Sequence, residues 1–151
     1  MSHLAQSSFQ PLRIAVLTVS DTRTLDTDTS GQTLISHLEE AGHALAARAI
    51  VIDDIYQIRA QLSQWIADAL VQVVLITGGT GFTARDNTPQ AVEPLLDKRV
   101  EGFGELFRQV SVLEIGTSSL QSRALAGFAT GAVACCLPGS PSAGRTAWQK
   151  I

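Results

Sequence analysis

The sequence has no surplus of basic residues, no array of cysteines and no long apolar run, and each absence removes a class of function. Its 11 Lys and Arg are outnumbered by 14 Asp and Glu, for a net charge of -3. Binding nucleic acid through its phosphates needs a clustered cationic surplus, so no nucleic-acid partner is expected and any anionic ligand must be held locally. The only cysteines, Cys135 and Cys136, are adjacent in an apolar run. Successive side chains of a strand point to opposite faces, so the pair suits neither a single metal nor a disulfide framework and reads as two small buried hydrophobes of a reducing compartment. No apolar run reaches the roughly 20 residues that span a bilayer. The opening MSHLAQSSFQ also lacks the charged and apolar regions of a secretory signal, so the protein is expected to be cytoplasmic with no membrane partner. His3, His37 and His43 show no metal-ligand spacing, and the sequence contains no nucleophile triad, repeat, linker or low-complexity tract.

What is present is a chain of 151 residues that is 45% hydrophobic and 17% charged, enough apolar surface for a single core. The expected organisation is a polar tail over residues 1–11 and one domain over residues 12–151. Residues 12–19 form a β-branched and aliphatic run that reads as a strand buried on both faces. Leu34, Ile35, Leu38 and Ala41 then fall at helical spacing, with Thr29 or Ser30 as cap and Gly42 as stop. A second strand is expected over 47–52. A helix follows, marked by Ile55, Ile58, Leu62, Trp65, Ile66 and Ala69, and Asp54 with Gln57 resembles a capping box.

A third strand, VQVVLI at 71–76, stops at the TGGTG of Thr77 to Gly81. The next helix is expected from Pro89 with Thr88 as cap. Residues 102–125 read as two helical pieces broken at 114–116, the second capped near Thr117 or Ser118. A last strand over 132–137 ends at Pro138, Gly139, Ser140 and Pro141, and a final helix from Ser142 is cut short at Ile151, as expected of a chain with further residues.

Strands alternating with helices predict an α/β fold, a three-layer α/β/α sandwich around a mostly parallel sheet. Right-handed crossovers place the carboxyl ends of parallel strands on one edge, where ligands of such sheets bind. The unusual residues all follow strands: Ser20 and Asp21, Asp53, the TGGTG and the PGSP. Gly78, Gly79 and Gly81 leave backbone N–H groups open to an oxyanion, with Thr77 and Thr80 as hydroxyl donors; a tight turn is the plainer reading of the same glycines. The stretch lacks a Walker lysine, and its match to a dinucleotide fingerprint fails because residues 85–88 intervene before any helix. A carboxylate beside a phosphate cradle calls for a cation, so Asp86 reads either as a Mg²⁺ ligand, with Arg85 free for a phosphate oxygen, or as part of an Asx turn or ion pair with Arg85. Asp53 and Asp54 read either as a helix cap or, for Asp53, as a ligand-edge acid. Ser20 and Asp21 bind ligand or terminate a strand, and Pro138 to Pro141 form either a turn or a backbone contact to ligand.

VSD at 19–21, ITGGTGFTARDNTPQA at 76–91 and LPGSP at 137–141 together resemble the MoaB/MogA family of molybdenum cofactor biosynthesis. The likeness runs from about Arg13 to Ile151. The segment EGFGELFRQVSVLEIGTSSLQSRALAG, with GRTAW near the end, resembles the B branch more than the MogA branch. The resemblance implies a MoaB/MogA-like fold that binds molybdopterin and adenylylates it with Mg-ATP, releasing pyrophosphate. It assigns Asp53 and Asp86 as the catalytic or Mg²⁺-organising acids, Thr77, Gly78, Gly79 and Ser118 to the pterin phosphate, and Gly139 to the nucleotide. Ser20, Asp21, Thr80, Gly81, Arg85, Pro138 and Ser140 complete the expected substrate-binding set at the strand ends. Ile52 stands where the adenylylating branch tends to have proline. The resemblance further implies a homotrimer or hexamer, with other enzymes of the pathway as partners. Beside this enzyme stands a molybdopterin-binding or scaffold protein without turnover; a nicotinamide-dependent oxidoreductase finds little support in the residues.

Overall fold

The computed structural model describes residues 8–151, so the expected tail falls mostly outside the described residues. Its described end is tied down: Phe9 packs on His43 with ring centroids 5.1 Å apart, and Leu12 N–H donates to His43 Nδ1. The elements run β1 (Arg13–Val19), α1 (Thr29–Glu40), β2 (Ala44–Val51), α2 (Ile55–Ala67), β3 (Val73–Thr77), α3 (Thr88–Val92), β4 (Lys98–Arg99), α4 (Glu101–Ile115), β5 (Leu125–Ala129), β6 (Ala132–Leu137) and α5 (Pro141–Lys150). Six strands form one sheet in the order β2-β1-β3-β6-β5-β4. The first four in that order pair in parallel, and β5 is antiparallel to β6 and to β4. Among the described residues no helix is long and apolar enough to cross a membrane.

The period of two along β1 explains the three layers. Ala15, Leu17 and Val19 point into a core shared with Ile58, Leu62 and Trp65 of α2 and with Ala91 and Val92 of α3. Ile14 and Val16 point the other way, against Leu34, Ile35 and Leu38 of α1, Phe107 of α4 and Ala147 of α5. Cys135 and Cys136 likewise part to opposite cores. Both are free, and burial pushes the Cys135 thiol up to about 11 and Cys136 higher still, which keeps both protonated near neutral pH.

Several boundaries differ from the sequence reading. Asp28, not Thr29 or Ser30, caps α1, its Oδ1 accepting from Gly31 N–H at 2.9 Å. Thr88 lies inside α3, capped in position by Asn87 without a side-chain bond, and spends its hydroxyl elsewhere. Ser140 caps α5, which starts at Pro141 rather than Ser142. The expected helix over 117–125 is absent. Gly116–Gln121 forms a 3-10 helix with no side-chain cap from Thr117 or Ser118, and Leu125 begins β5. Leu-Ala-Gly-Phe-Ala has no strong strand propensity, but Thr130 at φ 54 and Gly131 turn it back against β6, and that pairing overrides local preference.

The parallel register places the site. Thr18 lies opposite Thr77, Val19 opposite Val51 and Thr77 opposite Leu137, so four strands end level with one another. The chain reverses its direction of travel across the sheet between β1 and β3, the switch point where such sheets open a crevice.

Candidate active site

Ser20, Asp21, Asp53, the glycine loop and Pro138 to Ser140 all emerge along this edge. At the switch point the backbones approach too closely for side chains. A Cβ on Gly78, at φ +104, would lie 2.3 Å from the Val19 carbonyl oxygen; one on Gly79, at φ +70, would meet Thr88 Oγ1 at 2.2 Å and Asp53 Oδ2 at 2.8 Å. Gly78 N–H donates to the Leu137 carbonyl at 2.9 Å, and Thr88 Oγ1 donates to Gly78 O at 2.7 Å. The loop is thereby locked to β6 and α3. Among the described residues the N–H groups of Gly79, Thr80, Gly81 and Phe82 donate to no protein acceptor. A run of unspent amides on a strand-to-helix loop is the kind of backbone that can receive an anion.

The acids divide into distinct tasks. Asp54 accepts from the N–H groups of Tyr56 and Gln57, both at 3.0 Å, and is the helix cap, whereas its neighbour Asp53 turns inward and is only 6% exposed. Asp53 Oδ1 accepts from Asn87 N–H at 3.0 Å, and Oδ2 takes no hydrogen bond among the described residues. Burial pushes the Asp53 carboxyl above its usual range, against the pull of Asn87 and with the negative charges of Asp21 and Asp86 adding to the rise. Asp86 Oδ2 accepts from Thr83 N–H at 2.9 Å and from Thr83 Oγ1 at 2.7 Å, which leaves Oδ1 unspent.

Asp21 joins two of these strand ends. Its carboxylate takes a forked pair from Arg85, Nε at 2.9 Å and Nη2 at 2.8 Å, and Oδ1 also accepts from Asp53 N–H at 3.0 Å. The Arg85 bonds, then the Asp53 amide, hold the Asp21 carboxyl below its usual range. Two aspartates in contact through one amide are thus driven in opposite directions.

Several of the expected residues spend their side chains within the protein. The Thr77 hydroxyl is buried and donates to Pro138 O at 3.1 Å, so it is a brace between β3 and the PGSP turn rather than a free donor. Thr80 is also buried. Ser20 Oγ accepts from Thr22 and Arg23 N–H and shapes its own turn. Ser140 Oγ is spent on the α5 cap, while Ser30 Oγ donates to Gly139 O. Ser118 is exposed on the 3-10 helix and makes no hydrogen bond to the strand-end residues.

Arg123 is the residue that the sequence hides. Its Nε donates to Gly81 O at 2.8 Å and Nη2 to Asp86 O at 2.7 Å, its own N–H reaches Thr80 O at 3.2 Å, and its guanidinium lies 5.7 Å from the Phe82 ring centroid. An isolated arginine after a serine-rich stretch carries no motif. Thr83 was detectable, since Thr-x-x-Asp is the spacing of a local side-chain to backbone turn.

A family model described as "Probable molybdopterin binding domain" matches residues 15–151. The chain belongs to this family. It is 55% identical over 145 residues to molybdenum cofactor biosynthesis protein B of Escherichia coli K12, covering 96% of this chain and 85% of that protein. The protein of the same name from Bacillus subtilis is 43% identical over 141 residues, with 93% and 83% covered. A crystal structure of molybdenum cofactor biosynthesis protein B superposes with a TM-score of 0.93 at 45% identity, covering 96% of this chain and 91% of the other. The tungsten cofactor synthesizing protein MoaB from Pyrococcus furiosus follows at 0.84 and 34%, with 94% and 91% covered. As a member of this family, the chain shares its three-layer α/β/α fold.

Proposed function

We propose that this protein acts in molybdenum cofactor biosynthesis, binds molybdopterin along the strand-end edge and adenylylates it with Mg-ATP. One observation carries the reading: Asp53 and Asp86 flank a loop of unspent amides, each with a carboxylate oxygen still unspent. No group of three ligating side chains exists among the described residues. That donor set fits Mg²⁺, which takes one or two carboxylates and completes its octahedron with water and phosphate oxygens, and it does not fit a dedicated protein cage. Asp53 Oδ2 and Asp86 Oδ1 would hold the ion, which when bound neutralises phosphate charge.

In this reading the terminal phosphate of molybdopterin attacks the α-phosphorus of ATP. A new P–O bond forms, the bond to the bridging oxygen breaks, and pyrophosphate leaves with its electron pair. The nucleophile is already anionic, so no general base is needed, and the chain's own contribution is placement: amides 79–82 for phosphate oxygens and the two acids for the cation. Product from purified protein with Mg-ATP and molybdopterin, absent with Asp86→Asn, supports this reading. Absence of product from both refutes it.

A second reading, a molybdopterin binder without turnover that hands the pterin to another enzyme of the pathway, is favoured by the resting pairing of Arg85 with Asp21, which leaves that guanidinium committed to a carboxylate. Pterin binding by the wild type without ATP-dependent product would select it. A homotrimer or hexamer belongs to the same proposal. Leu113 and Leu120 are 86% and 75% exposed beside exposed Val112 and Ile115, an apolar surface that a partner copy would cover. A light-scattering mass of one chain would refute it.

A further inference from the structure

Arg123 forms no salt bridge among the described residues, and its guanidinium donates instead to backbone carbonyls of the loop. A trans peptide directs its C=O and its N–H to opposite sides. The carbonyl of Asp86 accepts from Arg123 Nη2 at 2.7 Å, and the N–H of that same peptide, belonging to Asn87, donates to Asp53 Oδ1 at 3.0 Å. The guanidinium therefore sets the plane of the one peptide that lies between Asp86 and Asp53. The same logic applies at the other end of the loop. With the carbonyls of Thr80 and Gly81 turned to Arg123, the N–H groups of Gly81 and Phe82 are turned away from it, and these are two of the unspent amides. Gly81 and Asp86 stand five residues apart and are closed into a ring by one rigid fork, a geometry that lysine's point charge does not reproduce. A cation–π contact with Phe82, itself part of the loop, adds to the hold on the fork.

We propose that Arg123 is a positioning residue of this site, acting through the Asp86–Asn87 peptide to hold Asp53 and through the Thr80 and Gly81 carbonyls to aim the anion cradle. The proposal rests on the reading of Asp53 and Asp86 as the ligand-organising acids, and it has a readout independent of turnover. Arg123 also lines a cavity of about 490 Å³ with Glu93, Arg99 and Arg108, so shortening it overpacks nothing.

The test is amide hydrogen exchange by NMR on the full chain, combined with calorimetric titration of Mg-ATP. In Arg123→Gln the Thr83 and Asn87 amides should exchange roughly tenfold faster or more, the effect of losing a hydrogen bond to a charged donor, while Val74 and Ile76 in β3 keep their rates. Arg123→Lys should fall between. Mg-ATP affinity should drop in Arg123→Gln and in Asp53→Asn, and the double variant should lose no more than the larger single loss, since one acts through the other. A residue needed only for folding would give additive losses and faster exchange in β3 as well. Unchanged exchange at Thr83 and Asn87 overturns the proposal. If Arg123→Gln does not fold, Arg123→Lys decides by the same two amides. Wild-type protein that binds no Mg-ATP would count against the functional reading alone, because the exchange pattern still decides the role of Arg123.

Discussion

Two glycines of the same loop should respond to alanine in different ways. At Gly79 an L side chain meets φ +70, a conformation that costs about 1–3 kcal/mol. Its Cβ would also stand 2.2 Å from Thr88 Oγ1, and Thr88 is fully buried with its hydroxyl committed to Gly78 O. Moving that hydroxyl breaks a buried hydrogen bond, a further loss of about 1–3 kcal/mol. Gly79→Ala should therefore lose about 2–6 kcal/mol, much of the stability of a domain this size. At Gly81 φ is not positive, and the obstruction is Asp86 Oδ2 at 2.8 Å, the far end of a side chain that can swing aside. The loss of its Thr83 bonds near the surface is partly offset by the lower chain entropy of alanine in the unfolded state, so Gly81→Ala should stay within about 1 kcal/mol of wild type. Urea unfolding with a common m-value measures both. Equal losses, or a larger loss at Gly81, would refute the reasoning. Gly81→Ala should still weaken Mg-ATP binding, because it moves Asp86 without unfolding anything.

Three further outcomes follow from the same geometry. Burial lifts the Asp53 carboxyl above its ordinary 3.8, so the folded state holds that proton more tightly than the unfolded one. Its contribution to stability is then full below the ordinary value and is lost as pH rises through the raised one, so metal-free Asp53→Asn should be more stable than wild type at pH 7, with the gap closing toward pH 4; a constant gap would refute this. Asp21→Asn keeps an acceptor for Asp53 N–H but releases the Arg85 fork, so inorganic pyrophosphate should bind more tightly and with a steeper salt dependence in calorimetric titration. Unchanged affinity would mean that Arg85 does not reach the ligand. Asp28→Ala removes a carboxylate that is 1% exposed, accepts from Thr18 and Gly31 and pairs with Arg48, so unfolding should be easier by about 3 kcal/mol with the site residues themselves unaltered.

The parallel half of the fold was legible because β1, β3 and β6 are largely buried on both faces and announce themselves as continuous aliphatic runs, each ended by residues that break a strand, while the half-exposed β2 is marked by its own short aliphatic run. The strand ends alone bring Asp21, Asp53, the glycine loop and Pro138 to one edge. The antiparallel edge was not legible. β4 is two residues long and β5 reads as well for helix as for strand, so only pairing with β6 decides it.

The loss of β5 from the reading also concealed Arg123. An arginine predicted within a helix faces solvent by default; the same residue two positions before β5 projects back across the sheet edge onto the glycine loop. Asp53 and Asp86 could be named from their own loops, but what places them relative to one another is a peptide plane fixed from the far side of the sheet. Composition and spacing report which groups reach a site, and the long-range bonds of the least regular strand determine how they are aimed.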